Sequence, residues 1–168
     1  YYGNPNTAHG SGSLTTNVIG ARNTAVGASA LKNNIAGDNT AVGTGALEMN
    51  TGGYENTAVG IFALQQNSAG SASGYYNTAI GAEALQKNNT GSSNTAIGRN
   101  ALASNLSGIS NTANGVSALQ NNTTIGPNSG YYNTAAGAGA LQGNTIGSSN
   151  TASGWHALAA NTTGISHV

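Results

Sequence analysis

Few side chains here could do chemistry, and their spacing argues against most of it. His9, His156 and His167 stand far apart and share no spacing that would hold a metal. Asp38 is the sole aspartate, whereas a calcium-binding β-roll needs one in the same register of every coil. Gly43-Thr44-Gly45 and Gly137-Ala138-Gly139 brush against phosphate-loop patterns but precede no helix signal, so no nucleotide site is expected. Serines and threonines abound, yet none recurs beside a His and an Asp. No catalytic group, cofactor or metal is expected, and the chain reads as non-enzymatic.

What remains is contact chemistry. Tyr75-Tyr76 and Tyr131-Tyr132 follow short insertions at residues 71–74 and 126–130, and Tyr1-Tyr2 has the look of the end of a third. Paired tyrosines suit contacts with sugars or proteins, and loops leaving a regular scaffold are where such contacts concentrate. The competing reading is that they cover a gap or pack on an adjacent chain. Ile61-Phe62 and Trp155-His156 take matching variable positions and are expected at the surface or an interface. Tyr75, Tyr76, Tyr131, Tyr132 and Trp155 are therefore the candidate surface contacts. Asn88, Asn105, Asn121, Asn122 and Asn161 head Asn-x-Ser/Thr sequons, which arise by chance in so Asn- and Thr-rich a chain.

Composition narrows the partners. Four Lys and Arg balance four Asp and Glu, so there is no basic stripe to neutralise a phosphate backbone and no nucleic acid is expected. No run of 18 apolar residues appears, so no membrane insertion by this segment is expected. The absence of Cys excludes disulfides and Cys–zinc sites, and is compatible with life outside the cell.

The element that positions these residues is a repeat, Asn-Thr-Ala-x-Gly-x-x-(Ala/Ser)-Leu-x-x-Asn. Nine copies open at Asn6, Asn23, Asn39, Asn56, Asn77, Asn94, Asn111, Asn133 and Asn150, spaced by 17, 16, 17, 21, 17, 17, 22 and 17 residues. A period near 17 is too short for a helical hairpin and predicts one solenoid coil per repeat. Gly, Asn and β-branched Thr in every window disfavour helix. Residues 1–168 thus read as a single array of about nine coils, all-β, a parallel β-solenoid. Two short strands per coil are expected, Asn-Thr-Ala-x before the Gly and x-Ala-Leu-x after it. The Gly permits the first bend. The second Asn forms the next turn with a glycine usually three residues on (Gly20, Gly37, Gly53, Gly70, Gly91, Gly108, Gly147, Gly164).

Strand alternation sorts the faces. Asn, Ala and Gly should line a narrow interior, with Leu at the ninth position forming one continuous stack. The expected structural ladder includes Asn23, Gly27, Leu31 and Asn34, then Asn39, Gly43, Leu47 and Asn50, then Asn77, Gly81, Leu85 and Asn88, with side-chain amides bonded from coil to coil. The fourth position should face out with Thr. Val26, Val42, Val59, Ile80 and Ile97 there make a candidate inter-chain stripe.

In residues 23–31, 39–47, 77–85 and 94–102 the motif resembles the head repeats of YadA-like trimeric autotransporter adhesins. It is also similar to the arrays of tail-fibre-like proteins that often end in an endosialidase-type intramolecular chaperone. The resemblance covers nearly the whole chain. It implies a left-handed parallel β-roll, three chains side by side as a homotrimer, and an extracellular fibre on a cell surface or virion. The adhesin repeat is shorter, with a Ser-x-Ala-Ile-Gly core, and no stalk, anchor or chaperone pattern is read within this segment. Since the chain begins mid-repeat and stops partway through a coil, the reading is of a segment of a longer fibre, or of a polymerising subunit. The leading expectation is an extracellular structural and adhesive fibre segment touching a host-surface protein or glycan. The alternative is a filament stacking end to end without a receptor. Ice binding through Thr7, Thr24, Thr40 and their successors ranks below both, because only one Thr per coil is strict.

Overall fold

A computed structural model describes residues 5–17, 19–67, 73–123 and 129–168. Each repeat places one three-residue strand: β1 Thr7–His9, β2 Thr24–Val26, β3 Thr40–Val42, β4 Thr57–Val59, β5 Thr78–Ile80, β6 Thr95–Ile97, β7 Thr112–Asn114, β8 Thr134–Ala136 and β9 Thr151–Ser153. The nine form one parallel sheet in chain order. Register is like on like, with Thr24 over Thr40, Ala25 over Ala41 and Val26 over Val42. The fold is all-β, a parallel β-solenoid of about eight turns from first strand to last.

The strand stops at the repeat glycine for two reasons. Its φ lies between 121° and 147° in all nine copies, where L side chains are strained. Successive glycines also stack closely: a Cβ on Gly27 would lie 2.6 Å from the Gly43 carbonyl oxygen.

Beyond the glycine the expected second strand does not form. Ala30 N–H donates to Gly27 C=O (3.3 Å), Lys32 to Ser29 (3.3 Å) and Asn34 to Leu31 (3.2 Å), so the arm is a run of β-turns. Ser29 (φ 57°) and Leu31 (φ 50°) sit at the third positions of the first two, the signature of type II. Turn geometry sends consecutive side chains inward, and Ala30 and Leu31 are both fully buried. A strand would have pointed them to opposite faces. The arm still ladders between coils, as in Leu31 N–H to Ala46 C=O (3.0 Å) and Asn33 N–H to Glu48 C=O (2.9 Å).

The leucine column is Leu31, Leu47, Leu64, Leu85, Leu102, Leu119 and Leu141, all fully buried, with Leu14 and Leu158 partly buried beside it. All nine have φ of 49–52°. That left-handed conformation costs about 1–2 kcal/mol for an L residue, while burying a leucine stabilises by roughly 1.5–3 kcal/mol. A residue branched at Cβ would be far worse there, which accounts for Leu, never Ile or Val, at the ninth position. Two alanines per coil complete a core one leucine thick.

Candidate functional site

The ladder divides: its leucines and asparagines are buried, whereas Gly27, Gly43 and Gly81 are only partly covered. Asn23, Asn34, Asn39, Asn50, Asn77 and Asn88 are buried at 1% exposure or less. Along the second Asn column each Nδ2 donates to the Oδ1 one coil earlier: Asn50 to Asn34 (2.7 Å), Asn67 to Asn50 (2.7 Å), Asn88 to Asn67 (3.0 Å), Asn105 to Asn88 (2.8 Å). In the first column the backbone N–H joins in, so Asn77 Oδ1 accepts from Asn94 N–H (3.0 Å) and Asn94 Nδ2 (3.2 Å).

The two columns also meet, which single-repeat reasoning does not show. Asn94 and Asn105 both donate to the Gly108 carbonyl (2.7 and 3.2 Å), and Asn133 and Asn144 both donate to that of Gly147 (2.9 and 3.0 Å). The carbonyl at the centre belongs to the residue three before the next repeat Asn. In the 16-residue coil that is Ala36, not Gly37. After the insertions it is Gly74 and Gly130; Gly70 lies outside the described residues. Counting back from the following Asn, and not forward from the preceding one, would have found them. His167 takes the next Asn place, its N–H donating to Asn150 Oδ1 (3.0 Å).

This burial bears on the sequons. Asn88, Asn105 and Asn122 are fully enclosed in the second column and closed to a glycosylating enzyme, whereas Asn121 is exposed.

Two outer surfaces hold the candidate contacts. On the strand face, Val26, Val42, Val59, Ile80 and Ile97 follow one another in register at 37–41% exposure. The Thr column runs beside them, half-buried in these five coils. Among the described residues, the hydroxyls of these threonines enter no side-chain hydrogen bond.

The second surface is the corner just before each repeat Asn. Tyr1-Tyr2 and part of both insertions (residues 71–72 and 126–128) lie outside the described residues. Tyr75-Tyr76 and Tyr131-Tyr132 do not ride on projecting loops; they occupy regular corner positions. Tyr76 N–H donates to Tyr54 C=O (3.3 Å) and Tyr132 N–H to Ile109 C=O (3.1 Å), the bond that each corner from Asp38 to Ser166 makes to the coil before. Tyr54, which the sequence reading missed, stacks on Tyr75 with ring centroids 5.2 Å apart and an interplanar angle of 13°. Its place two residues before Asn56, matching Tyr75 before Asn77, was the available signal. Tyr76 stands edge-on to Tyr75 (5.0 Å, 84°), and Tyr132 repeats that arrangement on Tyr131 (6.2 Å, 88°). The Glu55 carboxylate, followed by Tyr54, raises the pKa of the Tyr76 phenol.

Higher in the same corner, Arg22 Nε and Nη2 bind the two Asp38 oxygens at 2.5 and 2.6 Å. The hydrogen bond from Arg22 holds the Asp38 carboxyl below its usual range.

The other aromatic positions divide. Trp155 is 80% exposed with His156 against its edge (4.4 Å), and Ile61 is exposed. Phe62 instead lies back over Gly45 of the coil before and is only partly accessible. His156 covers Gly139 in the same way. Among the described residues no group of three His, Cys, Asp or Glu could hold a metal ion, no cavity opens, and no helix is long and apolar enough to cross a membrane. Compared with known proteins, the chain matches no family model, no curated protein and no solved structure.

Proposed function

We propose that this chain is a segment of an extracellular fibre, structural and adhesive, in which three copies lie side by side. The observation that carries the reading is the unbroken row Val26, Val42, Val59, Ile80 and Ile97, half-exposed on five successive strands. An ordered apolar row of this kind on a surface marks a contact. A second copy of the same rod offers a matching row at the same coil spacing. The left-handed coil and the count of three come from the resemblance to adhesin heads. Adhesion follows from repetition: weak contacts presented once per coil add through multivalency on a target that is itself repetitive.

Sedimentation and electron microscopy test this. The expected species is a short rod, about 40 Å long per array at a strand spacing of about 4.8 Å, with three times the 16.4 kDa chain mass. Val42→Asp with Ile80→Asp should reduce it to single chains that keep their circular dichroism. A wild-type mass of 16.4 kDa would overturn the side-by-side assembly. Long filaments would favour end-to-end stacking, and thermal hysteresis by a single chain would assign the Thr–Val face to ice.

A further inference from the structure

From Asn23 to Asn150 the residue before each repeat Asn, and the one before His167 in the next Asn place, has φ between 55° and 62°: Arg22, Asp38, Glu55, Tyr76, Ser93, Ser110, Tyr132, Ser149 and Ser166. Backbone energetics favour glycine there, since any Cβ is strained by about 1 kcal/mol or more. The equivalent strain at leucine is offset by core burial. No such offset exists at the corner, where all of these side chains except Asp38 are exposed. Yet none of the nine is glycine. A side chain kept at a strained position in nine successive corners, and exposed in eight of them, points to a use outside the fold.

The column has a readable chemistry. One side chain projects per coil, at intervals of about 4.8 Å along the axis. From Glu55 onward they are a carboxylate, hydroxyls and two tyrosines, with no cation. The only cation in the column, Arg22, is held by Asp38. Tyr76 and Tyr132 are 49% and 62% exposed, each braced edge-on by the tyrosine before it. They lie three coils apart, about 14 Å. Aromatic faces at intervals, joined by hydroxyls that donate and accept, fit the alternating C–H and O–H surface of a pyranose chain. An extended β-linked glycan advances by close to one coil spacing per sugar, so its units could keep register with the corners.

We propose that the corner column is a track for a linear, uncharged, β-linked polysaccharide lying along the rod, with Tyr76 and Tyr132 as its two stacking platforms. This rests on the adhesive reading and names its ligand class. The absence of a free cation disfavours an anionic polymer, and the spread of the column along the axis disfavours a single terminal sugar.

Titration calorimetry with the full chain tests it, using cello- and chito-oligosaccharides of two to six units and heparin fragments of equal length. Affinity should rise steeply between the tri- and hexasaccharide, when one molecule first spans both tyrosines. Tyr76→Ala and Tyr132→Ala should each weaken hexasaccharide binding about 3- to 10-fold. The Phe variants should retain most of it, and Trp155→Ala, outside the column, should change nothing. Circular dichroism and assembled mass should be unaltered in all five variants, so a loss of binding is distinguishable from failure of the fibre itself. No binding of any neutral oligosaccharide, preference for heparin, or binding indifferent to both tyrosines would overturn the proposal even with the rod intact.

Discussion

Asn121 and Asn122 are neighbours in sequence and opposites in structure, which makes their aspartate variants a sharp test of the ladder. Asn122 is fully buried; its Nδ2 donates to Asn105 Oδ1 (2.9 Å) and Gly130 C=O (3.0 Å), and its Oδ1 accepts from Asn144 Nδ2 (3.0 Å). Asn122→Asp keeps the shape but turns the donor into an oxygen facing two oxygens. As a neutral acid it can still give one proton to one of them; ionised, it cannot, and it is a charge without solvent. The folded state therefore raises its pKa above the unfolded value of about 3.9, by as much as 3–5 units for a fully buried carboxyl. Between the two values the folded chain binds more protons, so stability falls as pH rises. At about 1.4 kcal/mol per unit, the roughly 3 units between the unfolded value and neutrality limit the loss by pH 7 to about 4 kcal/mol. Because each coil contacts only its neighbours, the array should open from this coil outward. Urea unfolding followed by circular dichroism at pH 3 and pH 7, each against wild type, reads this out. Asn121→Asp, exposed, should follow wild type at both. If the two variants behave alike at pH 7, the amide column is not a dry, donor-dependent stack and the reasoning is refuted.

Further expectations follow from backbone geometry and charge. Leu102→Ile preserves volume, so core packing alone would cost under about 1.5 kcal/mol; at φ 52° the Cβ branch should add about 1–3 kcal/mol, measurable as a fall in the urea midpoint. Gly60→Ala and Gly154→Ala separate strain from crowding. Both glycines have positive φ (139° and 121°), but a Cβ at Gly60 meets the Gly81 oxygen at 2.5 Å, whereas at Gly154 nothing lies within 4 Å. Thermal melts should show Gly60→Ala the more destabilised. Arg22 lowers the Asp38 pKa, so the stability their contact contributes is present above the ordinary carboxylate range and lost as pH falls through the depressed value. The Asp38 carboxyl carbon should titrate below 3.8 in wild type and return towards it in Arg22→Ala, as read by nuclear magnetic resonance.

Particular residues show how far the chain could be read in advance. Thr24-Ala25-Val26 was legible as a strand because small and β-branched residues alternate, and Ala25 is buried while Val26 faces out. Ala30-Leu31 was misread as a second strand, although two adjacent strict apolar residues already conflict with alternation. Tyr54 was passed over because it stands alone in sequence; its partner Tyr75 is 21 residues away and meets it only by stacking. The corner column was invisible for another reason. Its members share no side-chain type, only a backbone sign.

By itself, then, the amino-acid sequence determined the period, the strand, the leucine file and the two asparagine columns, because each coil must offer its neighbour the same groups and that demand is written as strict recurrence. Tertiary structure alone decided the turn-built second arm, the meeting of both columns on one carbonyl, the enclosure of Asn122 beside an open Asn121, and the aromatic corner. Those depend on the sign of φ and on which residues of different coils coincide in space, and neither quantity belongs to any single repeat.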